Sequence, residues 1–131
     1  MRLLLDTHIA LWATQDSPRL PGEARALLMA AQPGTVFVSV VSLWELSIKA
    51  AAGQFRPDAS EARKHFVAAR YHFLEMTDQH AATHDALGPP HADHKDPFDR
   101  MLVAQAISEG MVLVTHDPKL ARYHPVAVRL V

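Results

Sequence analysis

The sequence predicts an α/β domain, a central parallel β-sheet of four to five strands flanked by helices on both faces. Three observations carry that reading. Short apolar or β-branched runs recur at residues 2–5, 35–38, 111–115 and 126–130, with a weaker one at 73–76. Stretches rich in Ala and Leu, long enough for several helical turns, separate them, and Gly or Pro breaks fall between the two kinds of segment. Strands that alternate with helices form parallel sheets covered on both sides.

Taken in order, the run before Asp6 reads as a buried first strand, and residues 7–13, with Ile9, Leu11 and Trp12, as a helix. Two prolines and a glycine make 15–22 a loop; residues 23–31 are helical and stop at Pro33-Gly34. After the second strand, Ser42 stands three residues before Glu45, the spacing of a capping box. The helix expected from there runs to about Ala52, with Trp44, Ile48 and Ala51 on one apolar face. Residues 58–70 form a further helix with Ala62, Phe66 and Ala69 on one side, and 78–87 a weaker one ended by Gly88-Pro89-Pro90. Asp96-Pro97-Phe98-Asp99 opens a helix with a capping Asp and Pro at the first position, and Gly110 ends it. A short helix or turn at 118–123 precedes the last strand. No repeat or second domain is visible, so 1–131 reads as a single domain.

Composition narrows the classes. At 49% hydrophobic and 21% charged, the chain is that of an ordinary globular protein with a substantial core. The absence of cysteine excludes disulfides and thiolate zinc sites. No apolar run approaches the ~20 residues that span a bilayer, and Asp6 comes too early for a signal-peptide core, so a cytoplasmic location is expected. A net charge of −1 argues against holding long nucleic acids by electrostatics alone, and less strongly against a metalloenzyme with an acidic pocket.

The acids are placed more tellingly than they are counted. Asp6 ends the first strand, Glu45 follows the second by less than two helical turns, and Asp117 follows the 111–115 strand. The carboxyl ends of parallel strands share the edge where ligand crevices form. Asp99, at the start of the helix that leads into that strand, is topologically the least constrained. Carboxylates gathered there repel one another unless a cation holds them, and all-oxygen ligation suits Mg²⁺ or Mn²⁺. Each acid also has a plainer use: Asp6, Asp96 and Asp117 as caps of the turns after them, Glu45 as the acid of a capping box, Asp99 as the dipole-stabilising acid of a first turn.

Four segments, Leu3-Leu4-Leu5-Asp6-Thr7-His8, Ser42-Leu43-Trp44-Glu45-Leu46, the run from Asp96-Pro97-Phe98-Asp99-Arg100 to Ala106, and Leu113-Val114-Thr115-His116-Asp117, occur in the order and spacing of a known family. Together they resemble the PIN-domain ribonucleases, in particular the VapC-type toxins of bacterial toxin–antitoxin pairs, over essentially the whole chain. The resemblance implies a PIN-like fold and a Mg²⁺- or Mn²⁺-dependent endoribonuclease acting on RNA, often tRNA or rRNA. It implies metal-binding and catalytic roles for Asp6, Glu45, Asp99 and Asp117, with Thr7, Asp96, Thr115 and Arg100 supporting them. His116 stands where the family commonly has Asn. The implied partners are a cognate antitoxin whose C-terminal segment covers the acidic cleft, and a second copy of the chain in a homodimer, a heterotetramer or a larger complex with antitoxin.

Beside the acids, Arg100, Lys95 and Lys49 could meet phosphates or be solvated surface charge. His91, Asp93, His94 and Asp96 have the composition of a transition-metal cluster, but a polar loop before a capped helix is the plainer reading. Trp12 and Trp44 could stack on RNA bases, although their helical faces favour packing. Ser42 lacks a nucleophile elbow. Two other functions compete: a receiver-like Mg²⁺-binding signalling module, and a PIN-like binding protein without catalysis.

Overall fold

The computed structural model describes residues 1–90 and 96–131. Its sheet has five strands: β1 (Leu3–Leu5), β2 (Val36–Ser39), β3 (His72–Leu74), β4 (Val112–Thr115) and β5 (Val128–Leu130). They lie in the order β3-β2-β1-β4-β5, and every pairing is parallel. That order differs from the 2-1-3-4-5 order of flavodoxin-like folds, in which receiver domains are built. Among the described residues six helices connect or flank the strands: α1 (Thr7–Thr14), α2 (Gly22–Ala30), α3 (Val40–Ala51), α4 (Ala59–Ala68), α5 (Asp78–Ala86) and α6 (Pro97–Glu109). The 118–123 segment is a single 3-10 turn over Leu120–Arg122.

Because successive side chains of a strand point to opposite faces, the apolar run of β1 serves two cores. Leu3 and Leu5 pack with Ile9 of α1, Ala24 of α2 and Phe66 of α4. Leu4 turns to the other face, with Leu102, Val103 and Ala106 of α6 and Val41 of α3. Continuous apolar strands of this kind need helices on both faces, and they have them. Among the described residues no helix is long and apolar enough to cross a membrane.

Helix α3 departs most from expectation. Strand β2 runs straight into it, and Ser39, not Ser42, is the cap, accepting from the Val41 N–H at 3.0 Å. The early start sets the helix's rotation. Val41, Ser42, Glu45 and Leu46 are buried, while the expected apolar face of Trp44, Ile48 and Ala51 points outward, with Trp44 60% exposed. Of the core or dimer packing expected for Trp44, the core half is corrected: its ring meets Phe98 edge-on at 5.3 Å on the surface. A local Ser-x-x-Glu pattern cannot show that two polar residues are wanted inside.

Helix α6 follows its signals closely. Asp96 Oδ1 accepts from the N–H groups of Phe98 and Asp99 at 2.9 and 3.2 Å, and Gly110 closes the helix in the left-handed conformation, φ 64°. On α5, a capping box joins Thr77 and His80, and the buried His80 ring lies 2.8 Å from Glu109 Oε1 and 3.3 Å from Gln105 Nε2. That polar α5–α6 seam carried no sequence signal. Residues 91–95, which hold His91, Asp93, His94 and Lys95, lie outside the described residues, and so do the readings made of them.

Candidate active site

The crevice sits at the carboxyl edge of the sheet. Asp6 leaves the end of β1, its N–H donating to the Val114 carbonyl at 3.0 Å. Although Asp6 occupies the cap position of α1, its side chain makes no capping bond; Oδ2 accepts from the Thr115 hydroxyl at 2.6 Å. Thr115, at the end of β4, also accepts from the Asp117 N–H at 3.1 Å, so one buried hydroxyl fixes two acids of adjacent strands. Asp117 Oδ1 accepts from the Lys119 N–H at 3.0 Å, so one of its oxygens does cap the following turn.

Glu45 arrives from α3 and is 3% exposed. The Thr7 hydroxyl lies 2.7 Å from Glu45 Oε1 and 2.8 Å from Ser42 Oγ. With one proton to give, it supplies the carboxylate and takes a bond from Ser42. Glu45 Oε2 accepts from Lys49 Nζ at 2.5 Å, and Lys49 also stands 3.8 Å from Asp96 Oδ2. Glu45 is thus no capping-box acid; it is a buried carboxylate held on both oxygens.

Asp99 reaches the same edge because a helix crossing over a parallel sheet runs antiparallel to the strands, which puts the amino end of α6 where the strands end. Burial raises its carboxyl, and the charges of Asp6, Asp96, Glu45 and Asp117 add to it, to a pKa of about 8. Burial, with the Glu45 charge adding, also raises Asp6, against the lowering effect of the Thr115 bond and of His8. Burial works to lower Lys49, yet the Glu45 hydrogen bond and the charges of Glu45, Asp96 and Asp99 outweigh it and raise the ammonium. The acids therefore share one electrostatic field. Among the described residues no three or more Asp, Glu or His side chains are gathered into an arrangement that could already hold a metal ion.

Residues 3–124 match the family model described as PIN domain, 122 of the 131 residues. The chain belongs to the PIN domain family. Solved structures of similar fold include VapBC2 from Rickettsia felis bound to a promoter DNA fragment, at 16% identity and TM-score 0.68, covering 99% of this chain and 98% of that one. DNA-bound VapBC from Salmonella typhimurium is 21% identical at TM-score 0.68, with 98% and 97% covered. FitAcB from Neisseria gonorrhoeae is 17% identical at TM-score 0.67, with 96% and 95% covered. No curated protein matches the sequence.

In this PIN domain Asp6, Glu45 and Asp117 lie near enough for their charges to act on Asp99, with Thr7 bonded to Glu45 and Thr115 to Asp6. Asp96 is the α6 cap and stands within reach of Lys49. The buried Arg100 guanidinium donates to the Gly88 carbonyl and to Tyr123 Oη, the latter at 3.2 Å, and stacks 5.5 Å from the Tyr123 ring. It ties α6 to two loops. Sequence reasoning missed Ser42 as Thr7's partner and Lys49 as the cation that neutralises Glu45. The i,i+4 spacing of Glu45 and Lys49 was the available signal for the second.

Proposed function

We propose that this PIN domain is a metal-dependent endoribonuclease, the toxin of a toxin–antitoxin pair, taking Mg²⁺ or Mn²⁺ in the crevice of Asp6, Glu45, Asp99 and Asp117. The observation that carries the reading is the burial of Asp99 beside Asp6, Glu45, Asp96 and Asp117: burial first, and then the charges of these acids, raise its carboxyl to about 8. A carboxyl that keeps its proton near neutrality because it is buried, and because other carboxylates stand around it, is one whose proton a cation displaces. The donor set is oxygen throughout, the preference of hard divalent ions.

Asp6 and Asp99 would hold the principal ion, with Glu45 and Asp117 completing its shell directly or through water. Such an ion, when bound, supplies a lowered water pKa and charge neutralisation at phosphorus. The chain's own part is positional. Thr115 aims Asp6, Thr7 and Lys49 aim Glu45, and a crevice carboxylate orients or deprotonates the water that attacks in line. That similar solved structures are VapBC and FitAB assemblies supports a cognate antitoxin as partner; assembly as a homodimer, or as a larger complex with the antitoxin, belongs to the same proposal. A PIN-like protein serving only as a binding partner is disfavoured by the presence of every acid.

Purified protein incubated with tRNA or rRNA, with and without EDTA, tests the reading. Cleavage that requires Mg²⁺ or Mn²⁺ and is lost on Asp6→Ala is expected; cleavage of equal rate in EDTA would sink it.

A further inference from the structure

Against the acids lies a recess of about 200 Å³ lined by Asp6, His8, Trp12, His116 and Asp117. The volume is below the ~300–1,000 Å³ of sites that enclose whole drug-sized ligands, so it admits one flat group. Its walls are rings. His8 stands between Trp12, 5.6 Å away, and Phe55, 5.2 Å away, and Trp12 meets His116 edge-on at 6.1 Å. His8 and His116 are exposed and Trp12 is only half-buried, so this is not a closed core cluster. His116 is also fixed: its Nδ1 lies 2.6 Å from the Val131 carbonyl oxygen, which can only accept. Nδ1 therefore carries the hydrogen, and in the neutral ring Nε2 is left as an acceptor.

From these we infer that the recess is a base-stacking subsite, in which Trp12 and His116 receive one unpaired nucleobase of the RNA whose phosphate lies over Asp6 and Asp117. The inference rests on the nuclease reading and deepens it, naming single-stranded RNA as the form that fits. Acids alone repel a polyanion. Aromatic faces attract any base without reading its sequence, and an acceptor Nε2 favours bases that offer an N–H. The two α1 residues His8 and Trp12 share a helix face at i,i+4, so the strand end that carries Asp6 also carries the platform.

The test uses Trp44→Phe, which leaves Trp12 as the sole tryptophan, combined with Asp99→Asn to prevent turnover in Mg²⁺. A 12-nucleotide single-stranded RNA and the same backbone made abasic throughout are titrated while tryptophan emission is followed. Quenching by the base-bearing strand and about ten-fold tighter binding than the abasic strand are expected. His116→Ala and, in an anisotropy assay, Trp12→Leu should erase that preference and leave salt-dependent binding of both strands. Equal affinity of the two strands, saturation without quenching, or no binding overturns the subsite, on the protein with its recess intact. Metal-dependent cleavage by the parent chain alongside equal affinities would sink the subsite alone; base preference without cleavage would sink the nuclease alone.

Discussion

The two edges of the sheet make opposite use of space. At the amino ends of β2 and β3 lies a groove of about 930 Å³, floored by Leu28, Val36, Val67 and Phe73 and rimmed by Arg63 and Arg70. At the carboxyl edge the recess beside Asp6 is less than a quarter of that size. Yet at the carboxyl edge, hydroxyls or an ammonium hold the side chains of Asp6 and Glu45 in place, and burial drives Asp99 far from its ordinary pKa. At the amino edge the ring contact of Arg63 with Phe73, 5.9 Å, is an ordinary surface packing distance. Volume marks where chains fail to meet. Chemistry is marked by polar groups buried against their preference and fixed there.

The largest effect that separates the edges is catalytic. Asp99→Ala or Asp6→Ala should lower RNA cleavage at least ~10²–10³-fold while circular dichroism stays unchanged. Loss of the far-ultraviolet signal instead would make these acids structural.

Next comes the charge balance. Lys49→Met leaves Glu45 buried without its ammonium and should cost about 1–3 kcal/mol in denaturant unfolding. Added Mg²⁺ should recover part of that loss; an unchanged midpoint would mean that the Glu45–Lys49 pair contributes little.

The pH dependence has a definite sign. Asp99 titrates near 8 folded and near 3.8 unfolded, so between those values the folded state binds the extra proton. Stability from this group is full below pH ~4 and is lost as pH rises through ~8. Metal-free protein should therefore lose about 1–3 kcal/mol over that range, after allowance for partial exposure, and Asp99→Asn should flatten the slope. A metal-free stability that rises from pH 5 to 8 would contradict the burial of Asp99 among acids.

Smallest of all should be the response at the amino edge. Arg70 has a left-handed backbone, φ 63°, so Arg70→Gly relieves strain of roughly 0.5–1 kcal/mol. It should leave cleavage untouched. A ten-fold change in rate would join the two edges functionally.

How much was legible follows the same division. Asp6 and Asp117 could be placed from strand ends, because the geometry of a parallel sheet is global and simple. Asp99 was the harder case, and only the antiparallel run of α6 brings it in. For Glu45 the local pattern misled: Ser42 and Glu45 satisfy a capping box on paper, and the strand-to-helix junction at Ser39 decides otherwise. The same rotation turned Trp44 and Ile48 outward, since buried hydrogen bonds to Thr7 outweighed one apolar face. Arg100, beside Asp99 in sequence, turns instead to Gly88 and Tyr123 because consecutive helical residues face about 100° apart. Partners far along the chain, such as His80 with Glu109 or Thr115 with Asp6, leave no periodicity to read.

The most direct measurement is RNA cleavage by purified protein titrated with Mn²⁺ after exhaustive chelation, for the parent chain beside Asp6→Asn/Asp99→Asn. Saturable, metal-dependent cleavage by the parent and none by the double variant is the result this structure predicts. Cleavage by both, or by the parent without any metal, would contradict the assignment of the crevice.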